Sequence, residues 1–143
     1  CLRHGQKVPV KLFTALLSDD ESEVRAQTAK LLVDSPIAEM LDALVRMLDD
    51  RSHRCRAFAA LALGSIGSDS AVSHLFESAR ENADSDVVLR HMIVMGLTKI
   101  ARKQGEQCLV QYREDPSTSV RMVLLLAFRN LQSESLRHFL TDK

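Results

Sequence analysis

The chain has 143 residues, 45% of them hydrophobic, with five glycines, three prolines and no tryptophan, which suits a compact helical chain with a real core. Nineteen basic and nineteen acidic residues give a formal net charge of zero, which argues against a broad electrostatic hold on nucleic acid or anionic lipid. Nothing approaches the roughly eighteen apolar residues needed to cross a bilayer, and no leader-like pattern opens the chain.

Taken in order, the elements repeat. Val24-Arg25, Cys55-Arg56, Leu89-Arg90 and Val120-Arg121 set arginines 31, 34 and 31 residues apart, and an aspartate stands six positions before each: Asp19, Asp50, Asp84 and Asp115. A fixed period with a fixed internal offset is the mark of stacked units that cannot bury an apolar face alone. Apolar or small residues fall at the fourth, sixth and seventh places after each arginine: Ala29, Leu31 and Leu32; Ala60, Ala62 and Leu63; Val94, Gly96 and Leu97; Leu125, Ala127 and Phe128. This spacing is helical. A second periodic stretch precedes each aspartate, clear at 10–17 and 40–48 and weaker at 71–79 and 107–113.

Each unit therefore reads as two helices joined by a tight turn, with Ser22, Ser52, Ser85 or Asp86, and Ser117 or Thr118 placed to accept backbone N–H groups at the start of the second helix. Pro36 and Gly67 punctuate the links. The predicted architecture is all-α, a right-handed α-solenoid of about four two-helix repeats in one domain: 8–36, 37–68, 69–103 and 104–133, plus a partial repeat at 134–143. That partial unit, with Leu136, Phe139 and Leu140 uncovered, reads as part of a longer protein and predicts self-association through this end.

Three cysteines without paired spacing do not make a disulfide framework, and Cys55 holds the place of Val24 and Val120, as a small core residue would. Cys108 lies in the weakly periodic first helix of the fourth unit. His53 and Cys55 offer two metal ligands where a structural zinc site wants four, so no metal or other cofactor is expected. Arg51, Arg54 and Arg56 form the one basic concentration near a turn, read as solvated surface. The aspartates and arginines, occurring four times, read as a structural ladder that closes turns and links repeats.

The pattern Asp-x5-Arg followed by small and apolar residues, best kept from Asp50 to Gly67, resembles the short HEAT repeats of the bilin-lyase type over nearly the whole chain. The stretches Leu89–Leu97, Ser119–Leu131 and His138–Asp142 further resemble the HEAT segment of large bacterial membrane-bound dehydrogenases that also carry a propeller and a c-type haem domain. That resemblance implies a noncatalytic spacer or docking region, exported or periplasmic with such a parent and cytoplasmic otherwise. No Cys-x-x-Cys-His motif is present to extend it to haem.

The second and fifth places after each arginine are expected to point away from the stack, onto the concave surface. They hold Gln27 and Lys30 in the first unit, then Phe58 and Leu61, Met92 and Met95, Val123 and Leu126. Six apolar residues in register suggest a docking stripe for a partner helix, a loop or a neighbouring domain. The other reading is core, reached by a one-position slip in register or by an array closing over its concave face. A third sets His91, Met92 and Met95 against a haem held elsewhere in the parent.

The leading expectation is a noncatalytic module for protein interaction or interdomain scaffolding. The alternatives are an accessory subunit of a bilin lyase, which would want a polar, acid-lined pocket with a tyrosine although Tyr112 is expected to face outward, and a DNA-binding array, which would want a basic groove with aromatics. No nucleophile and base, phosphate loop or carboxylate pair stands at meaningful spacing, so no enzymatic activity is expected.

Overall fold

The computed structural model describes residues 10–83 and 85–141, with side chains described up to residue 132; Asp84 lies outside the described residues. The first pair of helices is α1 (Val10–Leu17) and α2 (Ser22–Asp34). The second is α3 (Leu41–Met47), entered through a 3-10 turn at Ala38–Met40, and α4 (His53–Ile66). The third is α5 (Val72–Asn82), entered through a 3-10 turn at Asp69–Ala71, and α6 (Val87–Gln104). The fourth is α7 (Gln107–Val110) and α8 (Thr118–Thr141). Among the described residues there is no strand, and the second helices stack as α2, α4, α6 and α8, each against the next.

The first helices cover one side of that stack. α5 does so with Val72, Leu75, Phe76 and Ala79, the i, i+3, i+4, i+7 set of an amphipathic helix, all buried. α3 contributes Leu44 and Met47, and Met40 and Leu48 flank it in the core. α7 is the weak member. Only four residues of the expected 107–113 helix form it, with Leu109 buried, and the chain then runs in turns. Tyr112 does not face outward as expected. Its ring stacks on Phe76 with centroids 4.1 Å apart, a contact that substitutes for the missing helical turn.

Helix ends follow local chemistry. Ser52, Asp86 and Ser117 accept the N–H groups of Cys55, Leu89 and Val120 at 3.4, 3.1 and 3.3 Å. Ser22 does not cap: α2 starts on it, after Glu21, whose side chain makes no capping bond. α4 ends at Gly67, whose φ of 75° sends its N–H back to the Leu63 carbonyl at 3.1 Å. α5 ends the same way on Ala83, with φ 47°.

The repeated apolar places divide by the neighbour they meet. A Cβ built on Gly64, eight places after Arg56, would lie 2.6 Å from the Gly96 Cα, and one on Gly96, six places after Arg90, would lie 2.6 Å from the Ala60 carbonyl oxygen. The fourth and eighth places thus face the following repeat and the sixth faces the preceding one. Ala29, Ala60 and Val94 are buried at the fourth place and Ala62, Gly96 and Ala127 at the sixth. Leu125 and Leu31 depart from this pattern, 63% and 58% exposed. Leu125 has no following repeat among the described residues, and Leu31 no preceding one.

α8 runs without a break from Thr118 to Thr141, through the 133/134 boundary assigned to a partial repeat; the side chains of Leu136, Phe139 and Leu140 lie outside the described residues.

Candidate functional site

The aspartate and arginine ladder has a definite bonding scheme. In the first, second and fourth units the arginine bonds the backbone of its own aspartate and not its carboxylate. Arg25, Arg56 and Arg121 donate to the backbone carbonyls of Asp19, Asp50 and Asp115 at 2.7, 2.6 and 2.5 Å. The carboxylates instead close the turn, accepting the N–H two residues on: Glu21 on Asp19, Ser52 on Asp50 and Ser117 on Asp115 at 2.9, 2.8 and 2.9 Å.

Linkage between units uses the same carboxylates. Arg25 forks onto Asp50 of the next unit with two bonds of 2.8 and 2.9 Å. Burial pushes the Asp50 carboxyl up, but the Arg25 fork and the Ser52 N–H outweigh it and hold it below the usual carboxylate range. The fourth unit departs from this scheme: Asp115 takes Arg80 from α5, a residue outside the repeat pattern that also pairs with Glu77. Between the second and third units His53 meets Asp86 at 3.1 Å, and the Leu89 N–H holds the Asp86 carboxyl below its usual range against a smaller upward push from burial.

The stripe is brought together in part. Phe58, Leu61, Met92, Met95 and Leu126 are half-buried on the side of the second helices away from the first helices, while Gln27 and Lys30 are exposed. Val123 is a correction: at 1% exposure it is core, beside Leu124 and Val120. α8 is rolled relative to α4 and α6 because it is packed on one flank only among the described helices, by α6 and α5.

The apolar surface is also wider than the sequence suggested. Val87 and Val88, 61% and 59% exposed, join Ala57, Phe58 and Met92 around a groove of about 570 Å³ between the first turns of α4 and α6. His53, Arg54, Ser85 and Asp86 form its polar rim. Arg54 stands 5.7 Å from the centre of the Phe58 ring and pairs with Glu23 of α2. The signal for Val88 was available, since two places before the first three arginines stand Glu23, Arg54 and Val88, while Ser119 before the fourth is buried. A second groove of about 470 Å³ between α6 and α8 is lined by Arg90, His91, Leu126 and Arg129 among others.

The remaining candidates separate. Cys55 is fully buried, its thiol donating to the Ser22 carbonyl at 3.3 Å, whereas His53 points to Asp86 and Arg56 on the surface. Two residues apart on a helix face different sides, so this pair shares no ligand site. Cys108 is half-buried with its thiol on the Gly105 carbonyl, and burial raises its pKa. Among the described residues no cluster of three metal-ligating side chains forms, and no helix is long and apolar enough to cross a membrane.

Stacked helix pairs with inter-repeat ladders define an α-solenoid. Residues 9–89, more than half of the chain, match the family described as HEAT repeats, and the chain belongs to that family. Its fold is similar to the crystal structure of an engineered protein, with a TM-score of 0.52 and 19% identity over 82% of this chain. The chain spans 60% of that protein's length, and at this identity the likeness is one of fold. No curated protein matches the chain. The family match is to HEAT repeats at large, whose general use is as scaffolds for protein interaction, and it does not carry the narrower bilin-lyase or dehydrogenase likeness.

Proposed function

We propose that this chain is a noncatalytic HEAT module that binds a segment of another protein, or of a neighbouring domain, along the exposed side of α4 and α6. The observation that carries this reading is the groove walled by Phe58, Val88 and Met92. Its apolar floor and short charged rim suit a partner segment with two or three apolar anchors at helical spacing. Leu61 and Met95 continue the floor, and methionine adapts to irregular partners. The proposal covers Phe58, Leu61, Met92, Met95 and Leu126, with Val87 and Val88 added and Val123 assigned to support behind them. No nucleic acid, membrane or cofactor enters it.

Selection of peptides from a random library on the folded chain, counter-selected against Val88→Asp, tests it. Val88 is exposed, so the variant should melt with the parent. Peptides that bind the parent and lose at least about tenfold, or about 1.4 kcal/mol, on Val88→Asp and on Phe58→Ser support the groove. Peptides that bind the parent and Val88→Asp equally would remove it.

A further inference from the structure

We infer that the partner segment is acidic: with its apolar side seated on Phe58, Val88 and Met92, it sets Asp or Glu side chains against His91 and Arg129. This deepens the reading above and rests on it, since it names the chemistry of the segment that the groove takes.

The formal net charge of zero hides a division by layer. α4 and α6 hold no Asp or Glu, and α8 holds Glu134 alone, whereas Arg54, Arg90, Lys99, Arg102, Arg121 and Arg129 are among the cations of these three helices. Up to residue 132 the acidic residues lie instead on α2, α3, α5 and the connecting segments. From α4 onward, the side of the stack away from the first helices is therefore built by helices of one sign. That is the side on which Phe58, Met92 and Leu126 stand.

The cations beside the groove differ in what they already hold. At its rim Arg54 pairs with Glu23, and His53 faces Asp86. Val87 walls this groove and also the second one, between α6 and α8. There the compensation stops: His91 and Arg129 are both exposed, and neither meets a carboxylate among the described residues. At the other end of the stripe the Lys99 ammonium donates to the Ser65 hydroxyl at 2.9 Å, again without a described carboxylate.

Apolar anchors alone would accept any amphipathic segment of the right shape. The neighbouring cations choose among such segments, because a basic one brings like charges together and an acidic one makes charge-assisted bonds. A nucleic acid would also supply negative charge, but single strands want a row of rings to stack on. Phe58 is the one aromatic residue lining either groove. The apolar floor favours a polypeptide.

The test uses peptides recovered on the folded chain from a random library and lost on Val88→Asp. They should carry more Asp and Glu than Lys and Arg. A synthetic copy of the strongest should bind at least about tenfold more weakly to a variant with His91→Glu and Arg129→Glu, which should melt with the parent because both sites are exposed. A second copy with Lys in place of each acidic residue should show the reverse preference and bind the double variant better than the parent. Val88-dependent peptides without an acidic excess, or equal binding to parent and double variant, overturn the inference and leave the groove standing. A selection that recovers no Val88-dependent peptide overturns both. A single-stranded oligothymidine that displaces the acidic peptide at equal concentration would assign His91 and Arg129 to a phosphate backbone, and so overturns the inference as well.

Discussion

Ala83 is the described residue other than glycine with a positive φ, 47°, and it ends α5 by returning its N–H to the Ala79 carbonyl at 3.1 Å. Gly67 does the same for α4 at no steric cost, whereas a Cβ in this region crowds the next carbonyl. Ala83→Gly is therefore expected to stabilise the chain by about 0.5–1 kcal/mol, read as a higher melting temperature. An unchanged or lower melting point would mean that the looser unfolded chain offsets the relief. Residue-scale legibility followed the same logic. Cys55 was readable as core because it stood where valines stand, and Asp86 was readable as a cap. Ser22 does not cap because it stands three places before its arginine, whereas the capping Ser52, Asp86 and Ser117 stand four places before theirs, and that place in the first unit is held by Glu21. Val123 was misread because the roll of α8 depends on which flanks are covered, and a repeat register carries no such information.

At the scale of elements, the pairing of small residues between α4 and α6 decides how close two helices can come. Ala60, Gly64 and Gly96 bring backbone against backbone, with no room for one further methyl group. Gly96→Ala would drive a Cβ to 2.6 Å from the Ala60 carbonyl oxygen, and since neither atom is the tip of a flexible side chain, the helices must part. The expected cost is about 1–3 kcal/mol in urea unfolding, and a variant as stable as the parent would show that the seam can slide. The three extra residues of the third unit have an element-scale effect too. They accompany the longer α5, whose last turn carries Arg80 across to Asp115. The unequal period was visible in the sequence. That a first-helix arginine would take the place of a ladder arginine was not, because the substitution depends on reach in space.

For the whole molecule, the links between units are ionic at the turns and apolar along the helices, and only the ionic part responds to pH. Asp50 is held below its ordinary range, as is Asp86. A depressed carboxyl contributes stability that is complete above its unfolded value near about 4 and is lost as pH falls through the folded value. Asp50→Asn should thus melt below the parent at about pH 6, with the gap closing as pH drops below about 4. A gap that is constant with pH would assign the loss to the Ser52 turn rather than to the charge. At this scale the sequence was most informative: four helix pairs, all-α, one stack. A period fixes the number and order of units because each must cover its neighbour, yet it treats the first and last units as equals of the middle ones. The exposed Leu31 and Leu125 are the cost of that assumption.

The glycine seam has a mechanical consequence. A rod pulled at its ends fails where its joints are softest, and here the joints are graded. α7 is a single turn braced by one ring stack, and α1 buries little beyond Leu17. α4 and α6 meet backbone to backbone at Ala60, Gly64 and Gly96, and Lys99, Lys103 and Gln104 tie the end of α4 back to α6. Under tension α1 and the α7–α8 pair should peel away first while α2, α4 and α6 stay locked as a stiff block. The Phe58 and Met92 groove lies across that block, so a partner seated there would keep its grip while the rest of the spring extends.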